Sequence, residues 1–329
     1  MKSCNKYKEM EENKVHNIDF LNNTLPDKCA NLIIADPPYF EVKGDFDFIW
    51  KSFDDYLKDV EKWATECKRL LADNGTLFWY GDAKNIAYTQ IIFDKHLNLL
   101  NSLVWENTND HKQQMRFNPD LRTFAPLTER LLMYGNGKDS SGLNKMLQTS
   151  MIPIQEYMNS QRKKANVNYT FIAKLFGVST TAVAHWFNYP TQPSLPEQSK
   201  YDKLREFIDL MPYEDLQKWN EELRKEYEEL RRPFNNERFY GDVIRLPNYD
   251  TKKYDHDTIK PETLTRELIL TCSRPNDLVV VPFAGSGTEC AMAIKEGRRA
   301  IGFEVTPKHA EMSNKRIQKE LSTPQLFSS

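Results

Sequence analysis

Cysteine is scarce in this chain: five residues in 329 (Cys4, Cys29, Cys67, Cys272, Cys290), odd in number and without CxxC or Cys/His spacing. That argues against a disulfide framework and structural zinc, so no metal is expected and a reducing compartment fits. No run of 18 apolar residues occurs, and the first residues are polar and charged rather than an apolar leader. Neither export nor membrane spanning is expected, and the chain reads as soluble and intracellular. An excess of one charge is also lacking, with 45 Lys and Arg against 47 Asp and Glu. Whole-chain charge therefore gives no sign of a polyanionic partner, and any such face has to be local. The 40% hydrophobic content can fill a sizeable core, in one large domain or two ordinary ones.

Short apolar runs alternate with helical spacing. Residues 31 to 35 run into Asp36-Pro37-Pro38-Tyr39, where two successive prolines stop a strand or a helix. Tyr56, Val60, Trp63, Cys67, Leu70 and Leu71 predict a helix over 53–71, followed by a turn at Asp73-Asn74-Gly75 and a strand over 76–80. Near the end come a helix over 261–272, a strand over 278–281, a glycine-rich loop, a helix over 288–296, a strand over 300–303 and a helix over 307–321. This alternation predicts an open, mainly parallel sheet covered on both faces.

The stretch from 140 to 235 lacks strand patterns and reads as a helical insert. It divides the chain into a catalytic half (1–139), the insert (140–235) and a cofactor-binding half (236–329). Within the insert, Ile172, Ala173, Phe176, Gly177, Val178, Val183 and Trp186 have helix-turn-helix spacing. The second helix would begin near Ser179 and present Thr180, Thr181, Ala184 and His185 to bases or phosphates; a helix pair that merely packs is the alternative. Residues 151–205 carry 7 basic and 3 acidic residues, a local positive excess. Leu216, Trp219, Leu223, Tyr227 and Leu230 form an amphipathic stripe, a dimer seam or, more commonly, a face packed on its own domain.

Pro282-Phe283-Ala284-Gly285-Ser286-Gly287-Thr288 follows a predicted strand and opens a predicted helix, the context in which a backbone closely approaches a nucleotide. Glu304 ends the next strand, where a carboxylate can accept hydrogen bonds from ribose hydroxyls. Cys290 stands where a dinucleotide fingerprint has its third glycine, and the Gly-Lys-Ser/Thr of a phosphate loop is missing. An adenosine cofactor without pyrophosphate is the expectation; a simple tight turn is the alternative.

An exocyclic amino nitrogen of adenine or cytosine is a poor nucleophile, because its lone pair is delocalised into the ring. A catalyst has to supply hydrogen-bond acceptors and a clamp for the base. Asp36 and the Pro37 carbonyl can accept the two amino N–H groups, Pro37 and Pro38 fix their geometry, and Tyr39 offers a stacking face. A base in a duplex would have to flip out to reach them. The turn holds no nucleophile, and no cysteine lies in a matching motif, so direct transfer of a methyl group from a sulfonium is expected.

Taken together, these motifs resemble the beta class of DNA amino methyltransferases over most of 15–135 and 236–321. The resemblance implies a doubly wound, mainly parallel seven-stranded sheet of the Rossmann-like methyltransferase type, with an inserted target-recognition region. It also implies S-adenosyl-L-methionine as cofactor and double-stranded DNA as partner, in a cytoplasmic protein of bacterial or phage origin. Asp36, Pro37, Pro38 and Tyr39 match the catalytic motif, whose leading Asp favours adenine N6. Phe283, Ala284, Gly285, Ser286, Gly287 and Thr288 match the cofactor loop, and Glu304 the ribose acid. Asp19 stands where the family has an Asp near the cofactor's adenine. Asp242-Val243, His256, Lys260 and Pro261 resemble the segment beside its methionine end.

Two positions depart from the pattern. Val281 occupies a place that is usually Asp, so a polar contact near the cofactor's amino group is missing. The family's later His-Glu appears as Thr128-Glu129, after the candidate DNA contacts Lys112, Arg116 and Arg122, which could equally form a solvated face. The sequence leaves open a homodimer, a cognate restriction endonuclease, cytosine-N4 or RNA adenine as target, and a DNA-binding regulator on a decayed scaffold.

Overall fold

The computed structural model describes residues 10–42, 49–136, 143–188, 193–238, 240–248 and 259–323. Its contacts divide the chain into two compact units, one of Met1–Lys138 with Arg232–Ser329 and one of Asp139–Arg231. No helix among the described residues is long and apolar enough to cross a membrane.

The larger unit opens with strands β1 (Lys14–His16) and β2 (Ala30–Ala35), helix α1 (Phe53–Leu70), strand β3 (Leu71–Gly81), helix α2 (Ile86–Phe93) and strand β4 (Asn98–Asn107). Helix α3 (Asp110–Gln114) and strand β5 (Thr128–Gly135) complete this part. The smaller unit contains α4 (Leu143–Lys164), α5 (Tyr169–Phe176), α6 (Thr180–Phe187), α7 (Gln198–Leu204) and α8 (Tyr213–Leu230). The larger unit resumes with β6 (Val243–Leu246), α9 (Glu262–Cys272), β7 (Leu278–Val281), α10 (Thr288–Lys295), β8 (Arg299–Phe303) and α11 (Pro307–Ser322).

All eight strands join one sheet in the order β1-β8-β7-β2-β3-β5-β4-β6. Pairing is parallel except on either side of β5. The sheet is thus doubly wound and mainly parallel, with one strand more than the seven expected. Strand β1, at one edge of the sheet, pairs through three residues with Ile301–Phe303 and is too short to show a period in the sequence.

Alternation along β2 explains the two layers. Leu32 and Ile34 face a core shared with α9, α10 and α11, whereas Ile33 and Ala35 face one shared with α1 and α2. The helix over 53–71 forms as its spacing predicts, capped by the Ser52 hydroxyl, which accepts from Asp55 N at 3.2 Å. Asp73-Asn74-Gly75 does not end a separate element. Ala30 and Leu32 of β2 pair with Leu71 and Thr76 of β3, so the intervening residues bulge out of a continuous strand.

The smaller unit has its own core, including Ile154, Met158, Ile172, Val183, Phe187, Tyr201 and Leu216. Gly177 closes α5 at φ 62° and Ser179 caps α6, accepting from Ala182 N at 3.1 Å. The helix-turn-helix geometry therefore forms where the spacing places it. Trp219 and Leu223 of α8 pack against this unit's core beside the buried Leu216, which uses that stripe within the unit. Leu230 stays exposed.

Candidate active site

Strands β2 and β7 lie side by side at the point where the winding reverses. From β2 the chain crosses through α1 to β3 on one side, and from β7 through α10 to β8 on the other. The carboxyl ends of two such strands border a crevice that no crossover helix covers. Asp36-Pro37-Pro38-Tyr39 leaves the end of β2, and the loop from Pro282 to Gly287 leaves the end of β7. Topology thus brings two motifs remote in sequence to one place.

The glycine loop is held open by side chains around it. Glu304 Oε2 accepts from Gly285 N at 2.9 Å and its Oε1 from Thr306 N at 2.7 Å. Gly287 has φ 75°, and a Cβ there would lie 2.6 Å from Ser313 Cβ, so no other residue fits without displacing α11. Arg316 donates to Ser286 O at 2.9 Å and Thr288 Oγ1 at 3.0 Å, while Ser313 Oγ donates to Gly285 O at 2.8 Å. Phe283 packs among Phe20, Trp63 and Trp79, and Ala284 is buried.

Asp19 caps a short helical turn at Phe20–Asn22 by accepting from Leu21 N at 2.8 Å. Phe20 contacts both Phe283 and Phe303, and Asn17 Nδ2 donates to Glu304 O at 2.8 Å. The loop carrying Asp19 is therefore packed beside the Glu304 end of the crevice.

At the other end, Tyr39 OH donates to Asp36 Oδ1 at 2.6 Å, and Lys260 Nζ lies 2.8 Å from Asp36 Oδ2 and 3.0 Å from Glu129 Oε2. Lys260 is 6% exposed and its ammonium sits 4.9 Å from the Tyr80 ring centroid and 5.7 Å from that of Tyr39. Burial works against its charge, yet Asp36 and Glu129 together hold its pKa above that of an ordinary lysine. Burial raises the Tyr39 phenol, and Asp36 and Glu129 raise it further, so Tyr39 remains a neutral donor. Lys260 thus stands with the catalytic-motif aspartate. Pro37 is buried and Pro38 half-buried, which fixes the turn.

Three residues here escaped the sequence reading as site members. Tyr80, at the end of β3, is fully buried, and its hydroxyl has no hydrogen-bond partner among the described residues. Glu289, in the first turn of α10, is 6% exposed. Glu129, noted only as a departure, is the second anchor of Lys260. Helical position gave no hint of Glu289, since an acid in a first turn is ordinary.

The candidate DNA contacts are spread more widely. Arg116 pairs with Glu106 at 3.0 Å, which also pairs with Arg245, and Arg122 donates to the carbonyls of Pro119 and Leu121 within its own loop. The side chain of Lys112 and the whole of His256 lie outside the described residues. The same loop exposes Phe117 and Phe124 almost completely, a pair the sequence reading missed. In the smaller unit Thr180 and Thr181 are exposed at the start of α6, and His185 is half-buried.

The crevice can hold an adenosine at a close-approach glycine loop with a carboxylate beside it, and an amino group at rigid acceptors. This defines an S-adenosylmethionine-dependent amino methyltransferase with the catalytic motif ahead of the cofactor loop. The DNA methylase family model matches residues 30–315, and the chain belongs to that family. Among curated relatives, DNA adenine methyltransferase YhdJ of Escherichia coli K12 is 26% identical over 301 residues, covering 89% of this chain and 78% of that one. Type II methyltransferase M2.DpnII of Streptococcus pneumoniae is 25% identical, covering 92% and 88%. Type II methyltransferase M.HinfI of Haemophilus influenzae is 24% identical over 92% of this chain, which spans 66% of that protein's length. The solved PvuII DNA methyltransferase (cytosine-N4-specific) superposes with a TM-score of 0.53 at 13% identity, covering 94% and 91% of the two chains, a likeness of fold.

Proposed function

We propose that the chain methylates the N6 amino group of a flipped adenine in double-stranded DNA, with Asp36-Pro37-Pro38-Tyr39 as its catalytic turn. The observation that carries this is the meeting of that turn with the glycine loop and Glu304 at the switch point between β2 and β7. The name of one relative, DNA adenine methyltransferase YhdJ, supports the choice of base.

In this reading Glu304 accepts from the ribose hydroxyls while keeping Gly285 N, since a carboxylate has about four lone-pair directions. Asp19 lies at the adenine end, and the backbone of 283–288 forms the floor. When bound, S-adenosylmethionine supplies an electrophilic methyl group on a sulfonium. Asp36, fixed by Tyr39 OH and Lys260, accepts one amino N–H of the target base, and the Pro37 carbonyl accepts the other. These acceptors favour a pyramidal nitrogen whose lone pair is withdrawn from conjugation with the ring, and orient it for in-line attack. Asp36 is also placed to take the proton that the methylated nitrogen releases. Tyr39 stacks on the base.

Target recognition is assigned to the smaller unit, with Thr180, Thr181 and His185 on its second helix-turn-helix element, aided by Lys112, Arg116 and Arg122. The reading locates the enzyme in the cytoplasm with its DNA. A cognate endonuclease and a second copy of the chain belong to it as partners, the latter using a surface other than the covered stripe of α8. Light scattering and a cleavage assay of unmethylated host DNA test these. The activity itself is tested by tritium transfer from labelled S-adenosylmethionine into duplex DNA, present in the wild type and absent in Asp36→Ala.

A further inference from the structure

Glu289 is a buried carboxyl group with no counter-cation. It forms no ion pair with any described residue, and Arg316 donates to Glu262, Ser286 and Thr288. Asp36 after β2, Tyr80 on β3, Lys260 before α9 and Arg316 on α11 lie within electrostatic reach of it, with Cys290 next to it in α10. Lys260 is already shared by Asp36 and Glu129. The Tyr80 hydroxyl, fully buried and within electrostatic reach of Glu289, Asp36 and Glu129, is left without a hydrogen-bond partner among the described residues. Asp36 and Glu129 are thus paired with Lys260, whereas Glu289 is paired with no cation among the described residues, a deficit that a buried carboxylate bears only at high cost.

The direction of the crevice says what fills it. Glu304 marks the ribose end through its bond to Gly285 N. Asp36 marks the place of methyl transfer. A cofactor lying between them carries its amino-acid tail past the methyl-bearing sulfur, toward the start of α10. Its α-ammonium is a compact cation with three donors. That matches a carboxylate lacking a cation and a phenol lacking a partner.

We propose that Glu289 is the carboxylate that receives the α-ammonium of bound S-adenosylmethionine, with Tyr80 OH hydrogen-bonding the same carboxylate. The inference rests on the cofactor reading of the crevice and assigns its cationic end. It also supplies a polar contact at the methionine end of a chain that has Val281 where an acid was expected. In the free protein, burial and then Asp36 push the Glu289 carboxyl up to about 7, against its own backbone N–H, Lys260 and Arg316. Arrival of the ammonium favours the ionised form, so binding expels a proton.

The test is calorimetry on the full chain with three ligands, S-adenosylmethionine, S-adenosylhomocysteine and methylthioadenosine, the last lacking the amino-acid tail. Glu289→Gln is expected to weaken the first two by about tenfold to a hundredfold and to leave methylthioadenosine within about twofold. Equal loss for all three, loss for S-adenosylmethionine alone (a carboxylate facing the sulfonium), or no loss would overturn the proposal. A second measurement uses the wild type only. Titrations near pH 6 in two buffers of different ionisation enthalpy are expected to give release of about one proton with S-adenosylmethionine and none with methylthioadenosine. Identical proton counts would overturn the assignment, whereas failure of the wild type to bind any of the three would overturn the cofactor reading beneath it.

Discussion

Replacing Lys260 with methionine removes the only cation paired with Asp36 and Glu129 among the described residues while keeping most of the side-chain volume. At an effective dielectric constant of about 20, attractions at 2.8 and 3.0 Å are each worth about 6 kcal/mol before desolvation is counted. Desolvating the ammonium cancels much of that, and Asp36 and Glu129, 20% and 36% exposed, are partly screened by water. The net loss of stability is expected to be about 2–4 kcal/mol, read from urea unfolding followed by circular dichroism. Without the cation, Asp36 loses the contact that fixes it and repels Glu129, so the rate of methyl transfer is expected to fall as well. Restoring balance with Lys260→Met/Glu129→Gln should recover part of both effects, since it removes one of the uncompensated carboxylates. The alkaline side follows from the raised pKa of Lys260: its stabilisation is fully present below about pH 10 and is lost only above that, as the folded-state pKa is passed. A Lys260→Met variant with unchanged stability and an unchanged methylation rate would refute this account of the cluster.

Other changes test other parts. Glu304→Ala removes the acceptor of Gly285 N and Thr306 N as well as the proposed ribose contact, so affinity for S-adenosylmethionine and for methylthioadenosine should both fall, by roughly tenfold to a hundredfold in calorimetry. Gly177→Ala meets no atom within 4 Å but must hold φ 62°, so a loss of about 1 kcal/mol is expected in denaturant unfolding from backbone conformation alone. Glu289 has a folded-state pKa above the unfolded one, so it destabilises the cofactor-free protein increasingly as pH rises from about 4.5 to about 7. Glu289→Gln should therefore melt higher than the wild type near pH 8 without cofactor, by on the order of 3 kcal/mol, with the difference vanishing near pH 4. Thr180→Ala/Thr181→Ala should weaken binding to specific duplex DNA while leaving S-adenosylmethionine affinity unchanged, measured by fluorescence anisotropy and calorimetry.

Features written in the backbone are legible in the amino-acid sequence itself. Pro37 and Pro38 must end a strand, Gly285 and Gly287 must allow a turn at positive φ, and Gly177 with Ser179 must separate two helices; each leaves a local signature. The alternation of elements implies the sheet, and the permuted order of the motifs needs only adjacency of β2 and β7 to make one site. What stays hidden is what depends on burial. Glu289 reads as an ordinary helix-start acid until folding buries it. Lys260 reads as a cofactor contact until folding puts it 2.8 Å from Asp36. Strand β1 is too short to show a period, and the bulge in β3 reads as a turn because Asp73-Asn74-Gly75 has turn chemistry whether or not the strand continues.

Duplex DNA of mixed sequence, incubated with the purified chain and S-adenosylmethionine and digested to nucleosides, should yield N6-methyladenine by mass spectrometry, and none with Asp36→Ala. N4-methylcytosine as the product, or methylation that survives Asp36→Ala, would contradict the account.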